Sequence, residues 1–177
     1  VSFDLRSLYP SIIVSFGLSQ ESITKNIPKN LNDFIHVSNY YVNKNVKGFL
    51  PEVIETLFAE RAKYRNLMKA QPLHSDEWEV NNNRQAAIKI IMNAMYGQTA
   101  FVNSRIHSPN VAEITTFVGR NIILWTKTQL EKQGMTVHYV DTDGCFWSAD
   151  RLLSNDEIET IRQKVNLSYN DFAKQFN

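Results

Sequence analysis

The sequence predicts an α+β fold, in which a small antiparallel sheet carries helices on one face and an antiparallel helical hairpin is inserted into the chain. Three observations predict this fold. Strand patterns occur at the start of the chain and again in its last third. Apolar residues recur at helical spacing through the middle. A short loop separates the two long helical segments there, so these helices should pack against each other.

The first strand and a short helix are predicted at the start of the chain. The apolar residues of "VSFDL" alternate on one face, which leaves Asp4 on the opposite face. The next segment, "YPSIIVSFG", offers Pro10 as a first-turn residue and ends at Gly17, a pattern typical of a short helix. Residues 18–50 are rich in Asn, Lys and Ser, and we expect them to be mostly irregular.

Two long helices are predicted next. Apolar residues recur at helical spacing from Pro51, which indicates a helix to about Ala70. The segment "QPLHSDEW" supplies a turn in which Ser75 or Asp76 caps a second helix that runs to about Met95. Because the connecting loop is short, the two helices should be antiparallel.

The last third of the chain should contain a helix, a β-hairpin and a final helix. The helix covers Ile114–Lys132 and stops at Gly134. The hairpin strands are Thr136–Val140 and Cys145–Ser148, and a final amphipathic helix begins near Asp156. If the hairpin and the first strand adjoin in one sheet, their polar ends meet at its edge.

The composition is that of one ordinary globular domain or of two small lobes. The chain has 177 residues, of which 43% are hydrophobic and 21% are charged. A net charge of +1 means that any nucleic-acid partner must be bound by local clusters. One basic cluster contains no acid and consists of Arg61, Lys63, Arg65 and Lys69. A solvated helix face explains this cluster equally well.

The single cysteine, Cys145, excludes an internal disulfide. The sequence also shows no signal peptide, no Cys/His metal set and no 18-residue apolar run. We therefore expect an intracellular setting, such as the cytoplasm of a prokaryote or of a phage-infected host. The chain begins without Met inside a strand pattern and stops inside a helical one, so we expect it to be a piece of a longer protein.

The stretch "YVDTDG" contains two acids that need an explanation. An Asp-Gly turn accounts for Asp143 and Gly144, and a solvated turn is one interpretation of the whole stretch. Asp141 is not explained by the turn, because carboxylates this close repel each other unless a cation lies between them. Asp4 would join the pair if the strands adjoin. Three such carboxylates would suit Mg²⁺, and two ions about 4 Å apart can support phosphoryl transfer.

Groups that could hold phosphates occur on three predicted helices. Free amides at the start of the helix near Leu8–Pro10 favour an anion. Arg61 and Arg65 share one face of the first long helix. One face of the second long helix carries Gln85, Lys89, Asn93 and Tyr96. Lys89 is the one charge in the apolar run "AAIKIIMNAMYG", where a buried charge requires a partner, although a surface lysine is an alternative.

Three stretches resemble motifs A, B and C of family B DNA polymerases, in the order in which the family carries them: "DLRSLYPSII" (4–13), "KIIMNAMYG" (89–97) and "YVDTDG" (139–144). "FAERAKYR" resembles the triphosphate-binding finger helix, and "AEITTFVGR" is typical of a phage-like or archaeal-like member. The resemblance implies a polymerase palm in two parts, residues 1–48 and 98–177, with a fingers helical hairpin over residues 49–97.

The resemblance implies template-directed DNA synthesis, in which a deoxynucleotide is transferred from dNTP to a primer 3′-hydroxyl. The cofactors would be two Mg²⁺ ions, for which Mn²⁺ can substitute. The partners would be a DNA primer-template, dNTP and the remaining polymerase domains. Exonuclease and thumb domains are absent from this sequence, so we expect the isolated fragment to be weak or inactive.

The resemblance also assigns roles to individual residues. Asp4 and Asp143 would hold the metal ions, Asp141 would assist, and the carbonyl of Leu5 would complete the metal shell. The residues implied to bind dNTP are Ser7, Leu8, Tyr9, Arg61, Arg65, Lys89 and Asn93. Tyr9 would also reject a 2′-hydroxyl. Tyr96 and Gly97 would pack against the nascent base pair.

Two other functions fit parts of the sequence. A strand that ends in Asp-x-Asp-Gly also resembles the nucleophile motif of haloacid-dehalogenase-type phosphatases. That motif continues with Thr or Val where this chain has Cys145, and few residues remain for its downstream groups. A polymerase-like scaffold with an inactive site is the second alternative, which the presence of all three acids and the hairpin cations disfavours. Mn²⁺ binding through Asp143 would discriminate between scaffold and enzyme.

Overall fold

The computed structural model describes residues 1–176, which form two three-stranded antiparallel sheets and five α-helices. The strands are β1 (Ser2–Asp4), β2 (Ile23–Thr24), β3 (Phe34–Val37), β4 (Tyr40–Asn43), β5 (Thr136–Asp141) and β6 (Gly144–Ser148). The helices are α1 (Leu8–Ser15), α2 (Phe49–Lys69), α3 (Asp76–Ala100), α4 (Pro109–Lys132) and α5 (Asn155–Ala173). Short 3₁₀ turns cover Leu31–Asp33 and Lys174–Phe176. The α+β class is therefore confirmed.

The first sheet joins the start of the chain to the late hairpin, as the sequence predicts. Its strand order is β1-β6-β5, with Asp4 paired to Gly144 on one side of β6 and Asp141 paired to Gly144 on the other. One face packs on the helices through Phe3, Cys145 and Trp147, which are buried. The opposite face leaves Tyr139 and Phe146 exposed. The helices thus lie on one face of this sheet.

Most of residues 18–50 are turns and loops, as expected, but the segment also contains a second sheet that the sequence did not predict. This sheet has the order β2-β4-β3, and its residues Val37, Tyr40 and Val42 are buried. The alternation is short, and the surrounding polar residues hide it in the sequence. The turn between β3 and β4 is made by Ser38 in a left-handed conformation (φ 56°), which serine adopts rarely and which composition did not predict.

The helical hairpin is formed by α2 and α3 and is antiparallel. Arg61 contacts Gln85, and Tyr64, further along α2, contacts Arg84, which comes earlier in α3. The two helices therefore run in opposite directions. Ser75 caps α3 by accepting a hydrogen bond from the Trp78 amide at 3.2 Å. Of the two alternatives that the sequence offers for this cap, Ser75 is therefore the one used, and Asp76 is the first residue of the helix.

Three helix boundaries differ from the prediction. The helix α2 begins at Phe49 rather than Pro51, and α3 continues past Met95 to Ala100. The helix α4 begins at Pro109 rather than Ile114, because proline suits the first turn. None of the helices within residues 1–176 has the length and apolar character that a membrane span requires.

The two sheets lie over separate cores that α4 connects. The larger core packs α1, α2, the second sheet and the first half of α4, including Ile114 and Val118. The smaller core packs the first sheet, α5 and the end of α4 at Leu130. The first half of α4 therefore packs in one core and its end packs in the other, so this helix holds the two sheets in position relative to each other.

Tyr40 links the second sheet to α4 through a polar contact. Its ring is buried, with 1% exposed, and its hydroxyl donates a hydrogen bond to the Glu113 carboxylate. Burial, together with the Glu113 hydrogen bond and charge, raises the pKa of Tyr40 to about 12. The neutral phenol is therefore the form that the fold stabilises.

Removal of this hydroxyl should destabilise the fold modestly. We expect Tyr40→Phe to lower the free energy of unfolding by about 1 kcal/mol, the usual net contribution of one hydrogen bond. Chemical denaturation at neutral pH measures the loss, and Tyr41→Phe, on the same strand, is the matched control. Because the folded state raises this pKa, wild type loses stability from about pH 10 upward, so the difference between wild type and Tyr40→Phe should shrink there. Equal free energies of unfolding for wild type and Tyr40→Phe at neutral pH would show that the hydrogen bond to Glu113 does not stabilise the fold.

Candidate active site

A polar cavity of about 690 Å³ lies where β1, α1, the helical hairpin and the β5–β6 turn meet. It is lined by many of the residues that the sequence singles out: Asp4, Ser7, Leu8, Tyr9, Arg61, Arg65, Gln85, Lys89, Asn93 and Asp143. Four predicted site residues do not line it: Leu5, Tyr96, Gly97 and Asp141. The fold thus brings residues from both ends of the chain to one cavity.

Two carboxylates, rather than three, meet at this cavity. The Leu5 amide donates a hydrogen bond to the Asp143 carbonyl at 2.7 Å, which holds the end of β1 against the turn. Asp141 is exposed outside the cavity, where its carboxylate accepts a hydrogen bond from the Thr142 hydroxyl at 3.0 Å. The cause is the strand order, because β6 separates Asp4 from Asp141. Within residues 1–176, no group of three or more His, Cys, Asp or Glu side chains is arranged to hold a metal ion.

The pair formed by Asp4 and Asp143 still has the donor chemistry that Mg²⁺ accepts. In phosphate-handling sites Mg²⁺ is held by one or two carboxylates, with substrate phosphates and waters as the remaining ligands. Both acids line a cavity that also carries Arg61, Arg65 and Lys89. The side chains therefore fit Mg²⁺ that arrives with a phosphate-bearing ligand, and they do not form an all-protein metal cage.

The start of α1 presents backbone amides at the cavity wall. Ser7 precedes the helix in a left-handed conformation (φ 51°, ψ 46°) and its side chain does not cap α1. Its hydroxyl accepts a hydrogen bond from Arg61 Nη1 at 3.4 Å instead. Because the first-turn amides have no intrahelical partner, those of Leu8 and Tyr9 are suited to bind an anion. Pro10 follows them and supplies no N–H.

Positive charges converge on the cavity without acidic partners. Arg61 Nε donates a hydrogen bond to Gln85 Oε1 at 3.3 Å across the hairpin. Burial lowers the pKa of Arg61, and the nearby charges of Arg65 and Arg6 lower it further. In the part of the chain that the structure describes, no ion pair involves Arg61, Arg65 or Lys89. Cations gathered in this way favour an anionic ligand.

Lys89 is exposed, so the expectation of a buried charge that requires a partner is wrong. Only one side of the apolar run around it lies in a core, because Met92 is fully buried whereas Ile90 is 70% exposed and Ile91 is 49% exposed. Apolar composition alone cannot distinguish a core helix from one that presents an apolar surface. Lys89 and the exposed Asn93 nevertheless reach the cavity.

Tyr9 is the aromatic side chain of the cavity wall, and Tyr96 supports it from α3. The two ring centroids lie 4.3 Å apart, with an angle of 46° between the ring planes. Burial raises the pKa of Tyr96, and the neighbouring Tyr9 contributes to the same direction. Tyr96 therefore contacts the cavity through Tyr9, and Gly97 follows it on an exposed turn of the helix.

Arg6 is a cavity residue that the sequence reasoning did not single out. It lines the cavity and contributes to the lowered pKa of Arg61. A signal was present, because Arg6 follows the strand that ends at Asp4 and precedes the helix that should bind an anion. A cation at that position contributes to the same positive field.

The sequence matches the model of DNA polymerase family B over residues 1–168. DNA polymerase 1 of Pyrococcus abyssi (strain GE5 / Orsay) is 34% identical over 146 residues, which cover 82% of this chain and 19% of that protein. The DNA polymerase alpha catalytic subunit of Mus musculus is 31% identical over 176 residues, which cover 97% of this chain and 12% of that protein. The chain thus spans a fifth or less of the length of these curated relatives.

The fold leads to the same family. The structure of the family B DNA polymerase from the hyperthermophilic archaeon Pyrobaculum calidifontis superposes with a TM-score of 0.78 at 28% identity. The match covers 96% of this chain and 22% of that chain. The resemblance carried by the three motifs is therefore confirmed: the chain belongs to DNA polymerase family B.

Proposed function

We propose that this chain forms the catalytic core of a DNA-directed DNA polymerase, a nucleotidyltransferase that transfers deoxynucleotides from dNTP to a primer 3′-hydroxyl on a DNA template. One observation carries the proposal: two carboxylates share a cavity with four cations that have no acidic partner among residues 1–176. Family membership and the names of the relatives support it. The family match leaves the phosphatase alternative without support.

The triphosphate binds between the hairpin and α1. Arg61, Arg65 and Lys89 neutralise its charge, and the amides of Leu8 and Tyr9 hold it at the start of α1. Ser7 orients Arg61 through their hydrogen bond. Asn93 lines the same wall and helps to hold the triphosphate. The nucleotide is therefore bound from two sides by groups that differ in kind, long cationic side chains and fixed backbone donors.

Asp4 and Asp143 would hold the metal ions, because both line the cavity that would take the triphosphate, and the Leu5 carbonyl would add one more oxygen ligand. Two Mg²⁺ ions bound there, or Mn²⁺ in their place, would supply activation of the primer hydroxyl and charge stabilisation on the leaving pyrophosphate. Asp141 has an assisting role from outside the cavity. The carboxylates are exposed or half-buried, so a metal-bound nucleotide can reach them from solvent.

The nucleoside end of the ligand contacts the tyrosines. Tyr9 lies under the sugar and rejects a 2′-hydroxyl by occupying the space that it needs. Tyr96 and Gly97 pack against the nascent base pair. The pair of rings supports this arrangement, because Tyr96 braces Tyr9 from α3.

The helical hairpin, residues 49–97, acts as the fingers, and residues 1–48 and 98–177 form the palm. The partners are a DNA primer-template, dNTP and the remaining polymerase domains, exonuclease and thumb. This chain spans a fifth or less of the length of its relatives, which supports the proposal that further domains take part in synthesis. An intracellular setting stays a prediction.

Loss of either cavity carboxylate should abolish synthesis. In the polymerase that carries this chain, we expect Asp4→Ala and Asp143→Ala each to reduce primer extension by roughly 10³-fold or more, because the metal ions lose an anionic ligand. Asp150→Ala removes an exposed acid that does not line the cavity and serves as the control. Mn²⁺ binding should also weaken in Asp143→Asn. Undiminished extension by both alanine variants would reject the proposed function.

Removal of a cavity cation should weaken nucleotide binding. Arg61→Ala should raise the KM for dNTP by roughly tenfold or more, since a hydrogen bond to a charged group contributes about 1.5–3 kcal/mol. Lys63→Ala, on the same helix but outside the cavity, is the matched control. Steady-state kinetics with a fixed primer-template measures both. An equal KM in the two variants would show that Arg61 does not contact the nucleotide.

The ring of Tyr9 should decide sugar selection. We expect Tyr9→Ala to incorporate ribonucleotides more readily than wild type, whereas Tyr9→Phe keeps the ring and should keep the discrimination. Single-nucleotide incorporation with dNTP and rNTP gives the ratio of kcat/KM values. Unchanged discrimination in Tyr9→Ala would argue against Tyr9 as the gate.

A further inference from the structure

Gly119 lies buried in α4 directly against the ring of Tyr9. A Cβ atom placed at Gly119 would lie 3.1 Å from Tyr9 Cε1, closer than packed carbon atoms normally approach. The same atom would lie 3.5 Å from Leu8 Cδ2 and 3.6 Å from Ile12 Cδ1, which are ordinary contacts. The tight neighbour of Gly119 is therefore the tyrosine ring alone.

The backbone of α4 gives no reason for a glycine at this position. Gly119 lies within the helix, and its φ is not among the positive values found in residues 1–176. Glycine in a helix interior is less favourable than alanine. By contrast, a Cβ atom at Gly97, which is also helical, would meet no atom within 4 Å. The contact with Tyr9 is what an alanine at residue 119 would disturb.

The ring of Tyr9 lies between two helices and the cavity. It packs against α4 at Gly119 and against Tyr96 on α3, with 4.3 Å between the tyrosine centroids. Tyr9 lines the cavity, whereas neither Gly119 nor Tyr96 does. The cavity is therefore the open side of the ring, and a methyl group at residue 119 would move the ring towards it.

We propose that Gly119 is a positioning residue for sugar selection, because the absent side chain sets how far the Tyr9 ring reaches into the cavity. This inference rests on the proposed function, in which Tyr9 contacts the sugar. The ring must reach far enough to meet a 2′-hydroxyl but not so far that it displaces a deoxyribose. A glycine in α4 allows the ring to lie back at that distance.

The test is Gly119→Ala in the polymerase that carries this chain, with kcat and KM measured for dNTP and for rNTP. A misplacement of about 1 Å can cost about 10²-fold in rate, so a shift of a few tenths of an ångström should lower kcat/KM for dNTP by roughly five- to tenfold, with a higher KM as the ring crowds the sugar. Incorporation of rNTP should fall further, which raises the discrimination ratio. Thr128→Ala, an exposed position on the same helix, should leave both values unchanged.

A double-variant comparison separates positioning from a general structural effect. Without the ring, the methyl group has space, so Gly119→Ala should change neither KM nor the ratio in a Tyr9→Ala background. If Gly119→Ala alone fails to fold, the double variant should fold, because the ring that causes the clash is gone. Circular dichroism measures this recovery, and a double variant that stays unfolded would overturn the proposal.

The proposal is overturned if Gly119→Ala leaves both KM and the ratio unchanged, or if it changes them equally in the Tyr9→Ala background. These outcomes differ from failure of the proposed function. Wild-type extension that is lost in Asp4→Ala supports polymerase activity whatever Gly119 does. Absence of extension by the wild-type polymerase would reject the activity itself.

Discussion

The pairing of β1 with β6 is the interaction on which the rest of the site depends. Asp4 lies opposite Gly144, and the Leu5 amide binds the Asp143 carbonyl just beyond that pair. This register brings the first residues of the chain to a turn near its other end, and α1 leaves β1 directly at the cavity. A slip of one residue would turn every side chain of β1 to the opposite face, so Asp4 would enter the core and Phe3 would enter solvent.

The parts of the fold that follow simple periodicity could be predicted from the sequence. Alternation in "VSFDL" and helical spacing after Pro51 predict elements that the structure contains. The late hairpin is also present, but its turn is Thr142–Asp143 rather than the predicted Asp143–Gly144, because Gly144 already pairs with Asp141 in the sheet. The second sheet could not be predicted, because its strands are short and its Ser38 turn relies on a conformation that serine seldom adopts. Strand order was equally inaccessible, and it is strand order that removes Asp141 from the cavity.

The candidate site shows the same division between local pattern and global packing. Helical spacing groups most of the cavity side chains, since Arg61 and Arg65 reach the cavity together, as do Lys89 and Asn93. Tyr96, predicted on the same face as Lys89, does not line it. The burial of Lys89 could not be predicted, because α3 is apolar on its exposed side, at Ile90 and Ile91, as well as on its buried side at Met92. The contact between Gly119 and Tyr9 could not be predicted from the sequence, because the two residues are far apart in the chain and a single glycine in a helix does not indicate which side chain packs on it.

The cations that line the cavity repel one another in the free protein. Like charges on Arg6, Arg61 and Arg65 oppose one another, as the lowered pKa of Arg61 shows. A bound polyanion would relieve that repulsion. The helix α4 has a different consequence, since it supplies residues to both cores. Unfolding of either core would expose the apolar side of α4 that also packs in the other core. The two cores should therefore melt together, in one cooperative thermal transition rather than two.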